Sequence, residues 1–140
     1  MIIICGSISA SIDIKKVQKF LEEHGHEVEI PEGVKNPNAF GRIDVSDEEK
    51  ASDKIKGDLI RGYYRKIETS EAVLIVNAEK RGIAGYIGGN TLIEMAFGHV
   101  LGKPLYVLNP LPDLSYTSEL LAMKPTVIHG DLSLIKTYGG

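Results

Sequence analysis

The chain has 140 residues, enough for one domain with its own core. Hydrophobic residues make up 43% and charged residues 25%, the balance of an ordinary folded domain rather than of a disordered or fibrous chain. A net charge of −3 argues against a nucleic-acid polymer as partner, one cysteine (Cys5) excludes an intramolecular disulfide, and no apolar run approaches the ~20 residues that span a bilayer. The opening MIIICGS lacks the charged flank and long apolar stretch of a signal peptide. A cytoplasmic protein with no membrane contact is therefore expected.

Ile2–Cys5 is a β-branched run closed by Gly6 and reads as a buried parallel strand. A helix follows over Asp13–Gly25: Ile14, Val17, Phe20 and Leu21 fall at helical spacing, Asp13 can cap, and Gly25 stops it. Glu27–Ile30 alternates and reads as a strand nearer an edge. Pro31–Ser46, with two prolines, two glycines and two asparagines, reads as a long irregular loop, a length that usually serves function. Asp47–Ser70 reads as a long polar helix with an apolar stripe of Ile55, Leu59, Ile60, Tyr63 and Ile67, which Gly57 and Gly62 weaken. Ala72–Asn77 is the clearest buried strand and should be central. A glycine-rich loop leads to a helix over Asn90–Leu101. Pro104–Pro110 reads as a strand, Ser115–Met123 as a short helix, Pro125–Gly130 as a fifth strand, and the segment from Asp131 as a weak last helix.

Strands alternating with helices predict an α/β fold: a single doubly wound, five-stranded parallel sheet with helices on both faces, flavodoxin-like or Rossmann-like. Residues 1–140 make one domain, with no repeat, linker or low-complexity segment.

In such a sheet, ligands bind above the carboxyl ends of the strands. The residues just after each strand are therefore the candidates. Gly6, Ser7 and Ser9 follow the first strand, where a turn feeding a helix suits a phosphate or a sugar hydroxyl, though a plain turn with serine caps has the same pattern. Asn77 follows the third strand and Asn109 the fourth. Gly88 and Gly89 let a backbone approach a ligand, and Asn90 or Thr91 can cap the next helix. Glu94 is the one carboxylate in that largely apolar helix. Thr91–Glu94 has the capping-box pattern, in which the glutamate bonds back to the cap amide. The alternative is that Glu94 is aimed into the crevice as an ionised nucleophile. Lys80 and Arg81 lie on the glycine-rich loop and are mostly solvent residues by type. His99, His24, His26 and His129 are isolated, no His/Cys/Asp set has metal spacing, and no cofactor is implied.

Three stretches carry a resemblance: CGSI at Cys5–Ile8, SEAVLIVN at Ser70–Asn77, and GGNTLIEMAFGHVLGKPLYVL at Gly88–Leu108. Together they resemble the nucleoside 2-deoxyribosyltransferase-like superfamily, which includes the 2′-deoxynucleoside 5′-phosphate N-hydrolases. Its late motif runs G-x-x-x-E-x-G-x-A-x-x-x-G-K-P, matched here by Glu94, Gly102, Lys103 and Pro104, with Ala96 and Gly98 in exchanged places. The resemblance implies cleavage or transfer at the N-glycosidic bond of a nucleoside or nucleoside 5′-monophosphate. Glu94 would be the nucleophile, and Ser7 and Ser9 would hold the sugar or its phosphate. It also implies a homodimer or larger homo-oligomer. The chain departs from the family at Asn77, where an aspartate usually helps to protonate the leaving base. Glu79 is the nearest substitute, and Tyr63, Tyr64 and Tyr86 are the candidates for stacking on a base or orienting Glu94. IGGNTLIE also resembles, less closely, the P-G-G-x-G-T-x-x-E motif of phosphoribohydrolases of the lysine-decarboxylase-like family. A nucleotide-binding module without chemistry is the reading from a different class.

Overall fold

The computed structural model describes the backbone of residues 1–36 and 46–137, and the side chains of the same residues except 46–57. Most of the loop read at Pro31–Ser46, and Ile55 of the polar helix, lie outside the described residues or side chains. The strands are β1 (Ile2–Cys5), β2 (Val28–Glu29), β3 (Ala72–Ile75), β4 (Leu105–Val107) and β5 (Thr126–Val127). The helices are α1 (Ser11–Glu23), α2 (Glu32–Lys35), α3 (Ser46–Thr69), α4 (Gly89–Val100) and α5 (Thr117–Ala122). The sheet runs in the order β2-β1-β3-β4-β5 with every neighbouring pair parallel. This is the flavodoxin-like order, and the doubly wound α/β architecture stands.

Residue alternation along the strands builds two cores. Ile2 and Ile4 of β1, with Ala72 and Leu74 of β3, face the layer holding Ile14, Val17 and Leu21 of α1. Ile3 and Cys5, with Val73 and Ile75, face Tyr63 and Ile67 of α3, Met95 of α4 and Leu120 of α5. Right-handed crossovers require this division, because the chain leaves β1 in one direction and travels from β2 to β5 in the other. The central strands are buried on both faces, which is why they read as continuous apolar runs.

Several boundaries differ from the sequence reading. α1 starts two residues before Asp13, because a 3₁₀ turn at Ile8–Ala10 feeds straight into it, with the Ala10 amide donating to the Ser7 carbonyl at 2.9 Å. α3 runs unbroken through Gly57 and Gly62. On its inner face, the buried Tyr63 and Ile67 give it a packed side that offsets the glycines. β2 is only two residues long. Ile30 is buried, and Pro31, with no amide proton, cannot extend the ladder. β5 is equally short, since His129 (φ 48°) and Gly130 (φ 79°) turn the chain away. The last helix is absent: among the described residues the segment makes one 3₁₀ turn, Leu132–Leu134. There Asp131 Oδ1 accepts from the Ser133 amide at 3.1 Å and from its hydroxyl at 2.5 Å. Such a local side-chain bond competes with helix propagation, and Ile135 then drops into the α1-side core in an extended conformation. The β2 edge is clamped to its neighbours by Glu29, which accepts from Lys35 of α2 and from Lys66 of α3, the latter at 3.2 Å.

Candidate active site

The sheet order reverses between β1 and β3, so the crevice lies over Gly6 and Ser7 on one side and Asn77 on the other. Gly6 leaves β1 with its Cα close under the Val76 carbonyl: an added Cβ would lie 3.0 Å from that oxygen and 3.1 Å from Ile14 Cδ1. Ser7 is half-buried and Ser9 exposed, with their hydroxyls 2.5 Å apart. The serine pair thus follows directly on the carboxyl end of β1.

Asn77 has a different place. It is buried, and its amide is engaged inside the protein. Nδ2 donates to the carbonyls of Asn109 (2.9 Å), Pro110 (3.2 Å) and Gly85 (3.3 Å), while Oδ1 accepts from the Asn109 amide at 2.9 Å. Asn109 returns the bond, its Nδ2 donating to the Asn77 carbonyl at 3.0 Å. The two asparagines tie the ends of β3 and β4 to the loop before α4. The Asn77 amide is spent on bracing the floor, while the half-buried Asn109 uses only one of its two amide hydrogens there. Gly85 makes this clamp possible: its φ is +66°, and a Cβ there would stand 2.2 Å from the Pro110 carbonyl oxygen.

The loop from Asn77 to α4 is fixed further along. The Tyr116 hydroxyl donates to the Ile87 carbonyl. Lys80 carries its ammonium 5.5 Å above the ring of Tyr86, so one of the two loop cations has an aromatic partner, while Arg81 is exposed. Tyr116 had no sequence signal. Its role depends on a contact 29 residues away along the chain.

α4 begins one residue earlier than its sequence pattern suggested, and this changes the meaning of Glu94. The cap is Gly88, not Asn90 or Thr91, and no side chain caps the helix. Thr91 is the third helical residue and is buried, so the T-x-x-E pattern lies inside the helix. The capping box is not formed. Gly89 and Asn90 are exposed at the helix mouth, and a Cβ at Gly89 would meet nothing within 4 Å, so that position borders open space. Gly88 rests beside the Tyr86 ring.

Glu94, six residues into α4, is half-buried on the flank toward α3. Its charge acts on two neighbours, Cys5 at the carboxyl end of β1 and Tyr63 of α3. Burial first, and the Glu94 charge second, hold the Cys5 thiol well above its ordinary range. Tyr63 is likewise raised, mainly by burial, and its hydroxyl donates to the Ile4 carbonyl of β1. Met95, next to Glu94 on α4, packs in the same core as Cys5 and Tyr63, and Glu94 is near enough to both for its charge to act on them. Burial raises its own carboxyl from the ordinary value of 4.5 to about 8. The sequence reading had it ionised by the helix dipole. Desolvation by the apolar surroundings wins instead, because the dipole acts mainly over the first turn and Glu94 lies beyond it. At neutral pH only about one molecule in ten carries the charge.

Among the described residues, no set of three His, Cys, Asp or Glu is placed to hold a metal ion. No helix there is long and apolar enough to cross a membrane. No family model, no curated protein and no solved structure matches this chain.

Proposed function

We propose that the chain binds a nucleoside or nucleoside 5′-monophosphate over the β1–β3 switch and cleaves or transfers its N-glycosidic bond, with Glu94 as the nucleophile. The observation that carries this reading is the state of Glu94: released from helix capping, on the helix whose Met95 packs in one core with Cys5 at the end of β1. A desolvated carboxylate is a strong nucleophile once its proton is gone. It would attack the anomeric carbon as the base departs, and water or a second base would then displace the enzyme from the sugar. Positive charge developing on the sugar ring favours the ionised form, so substrate itself draws the carboxyl toward ionisation. Ser7 and Ser9 would hold the sugar or its phosphate, and Gly89 and Asn90 would border the ligand at the helix mouth. No cofactor is needed.

A second reading is favoured by Asn77, which stands where the resembled family has its acid and is engaged in bracing the fold. On that reading the chain binds nucleotides without cleaving them. Release of free base from deoxyribo- and ribonucleoside monophosphates, followed by chromatography, separates the two. The wild type is expected to release base, and Glu94→Gln to lose at least about 10³-fold in rate while still binding. Full activity in the variant rules out Glu94 as nucleophile. Binding without base release establishes the second reading.

A further inference from the structure

The loop between β3 and α4 leaves the sheet and returns at one place. It departs at Asn77 and comes back at Gly85, whose carbonyl accepts from Asn77 Nδ2 at 3.3 Å. Its tip is a tight turn over Lys80–Ile83. The Lys80 amide donates to the Ile83 carbonyl at 3.1 Å, and the Ile83 amide to the Lys80 carbonyl at 2.9 Å. Both central residues have positive φ, Arg81 at 53° and Gly82 at 77°, the mark of a type I′ turn. Asparagine, aspartate and glycine take the first of these positions easily, whereas arginine takes it against its backbone preference. Strain of this kind points to a demand on the side chain. Arg81 is exposed, and neither it nor Lys80 forms an ion pair among the described residues.

Lys80 is held in another way. Its ammonium lies 5.5 Å from the centroid of the Tyr86 ring. The same ring rests against Gly88, where an added Cβ would stand 3.2 Å from Tyr86 Cε1. An aromatic face fixes an ammonium without neutralising it, as a carboxylate would. Two adjacent cations without a counter-charge thus stand on the loop that follows β3, one of the two strands at the switch in order. Both lie outside the three stretches that carry the family resemblance.

We propose that Lys80 and Arg81 read a phosphate monoester on the ligand, so that the site takes nucleoside 5′-monophosphates in preference to nucleosides. This rests on the crevice being a nucleotide site, and it leaves the Ser7 and Ser9 hydroxyls to the sugar. A phosphate monoester carries close to two negative charges at neutral pH and three strong acceptor oxygens. Lys80 supplies a compact charge, and Arg81 a planar fork that spans two of those oxygens. A nucleoside offers neither cation an anionic partner, so the charge itself makes the distinction.

The test is calorimetry on the Glu94→Gln protein, in which sugar-bond chemistry is blocked, with the four 2′-deoxynucleosides and their 5′-monophosphates. For the preferred base, the monophosphate is expected to bind at least about tenfold more tightly than the nucleoside, and the preference shrinks as salt rises. Adding Lys80→Met or Arg81→Gln cuts the preference at least about threefold, and adding both abolishes it, with nucleoside affinity unchanged. Lys80→Arg keeps the charge and the preference. Equal affinity for nucleoside and monophosphate overturns the proposal, as does failure to bind either. So does a preference that survives the Lys80→Met/Arg81→Gln pair, or a loss shared equally by both ligands. Base release by the wild type is scored separately. If it is absent while the preference and its dependence on positions 80 and 81 hold, the phosphate site stands and the glycosidic chemistry falls.

Discussion

Glu94 is a costly residue for this fold above mildly acidic pH, and the sign follows from its raised carboxyl. The group titrates near 4.5 in an ordinary setting and near 8 here. Below the lower value it is protonated in both folded and unfolded chains, and its protonated form is fully compatible with burial. Between the two values the unfolded chain gives up its proton while the folded chain keeps it, so stability falls as pH rises. Above about 8 both states are ionised and the decline stops. Each unit is worth about 1.4 kcal/mol, so the loss amounts to roughly 3–5 kcal/mol. Glu94→Gln carries no titrating group and should be the more stable protein at alkaline pH. Urea midpoints of the two proteins at about pH 5 and about pH 9 check this, because other groups titrate alike in both. If the difference between them does not change with pH, the buried carboxyl is not titrating as described. The sequence marked Glu94 as unusual, one charge in an apolar helix, but it gave two meanings for it. Which one holds depended on a helix start displaced to Gly88, and local patterns place such boundaries poorly. Asn77 was legible as a residue at the sheet edge. Its engagement with Asn109 was not, because that pairing spans 32 positions.

Elements were legible where their pattern was long and regular. The apolar strands β1 and β3 and the periodic helices α1, α3 and α4 came out of the sequence within about two residues. β2 also came within one residue at each end, but β5 and the C-terminal turn did not, because two or three residues carry too little periodicity to outweigh a positive φ or a side-chain bond. α4 crosses the sheet at Gly98, where an added Cβ would stand 2.8 Å from Leu105 Cδ2 and 3.1 Å from Val73 Cγ2. There is no room for a methyl group unless the helix lifts or both side chains shift. Ala96 sits on a half-buried flank instead. Gly98→Ala gains helix propensity of about 1 kcal/mol and meets an overpacking cost of about 1–3 kcal/mol, so a net destabilisation of up to about 2 kcal/mol is expected. Thermal unfolding reads it directly, and a variant more stable than the wild type would mean that α4 rides higher on the sheet than described.

The whole molecule adds what alternation alone cannot supply. A βαβαβ rhythm says that the strands are parallel, but the order β2-β1-β3-β4-β5 was not in the pattern. That order puts the crevice between β1 and β3, so it decides which βα loops meet. It also makes the sheet the shared wall of two cores. Ile4 faces the α1 layer and Ile75 faces α3, α4 and α5, both fully buried. β1 and β3 are hydrogen-bonded neighbours in register from Ile2↔Ala72 to Cys5↔Ile75, so neither core can open without exposing the strands that line the other. Ile4→Ala and Ile75→Ala are each expected to cost about 2–4 kcal/mol. Each should leave a single cooperative transition, with secondary-structure and tyrosine signals moving together in urea. The two substitutions lie on opposite faces of adjacent strands, where packing is transmitted through the shared backbone. The double variant is therefore expected to lose somewhat more or less than the sum, by at least about 0.5 kcal/mol. Two separate transitions in either single variant would show that the layers fold as independent units, and the sheet would then be a boundary between them rather than their common core.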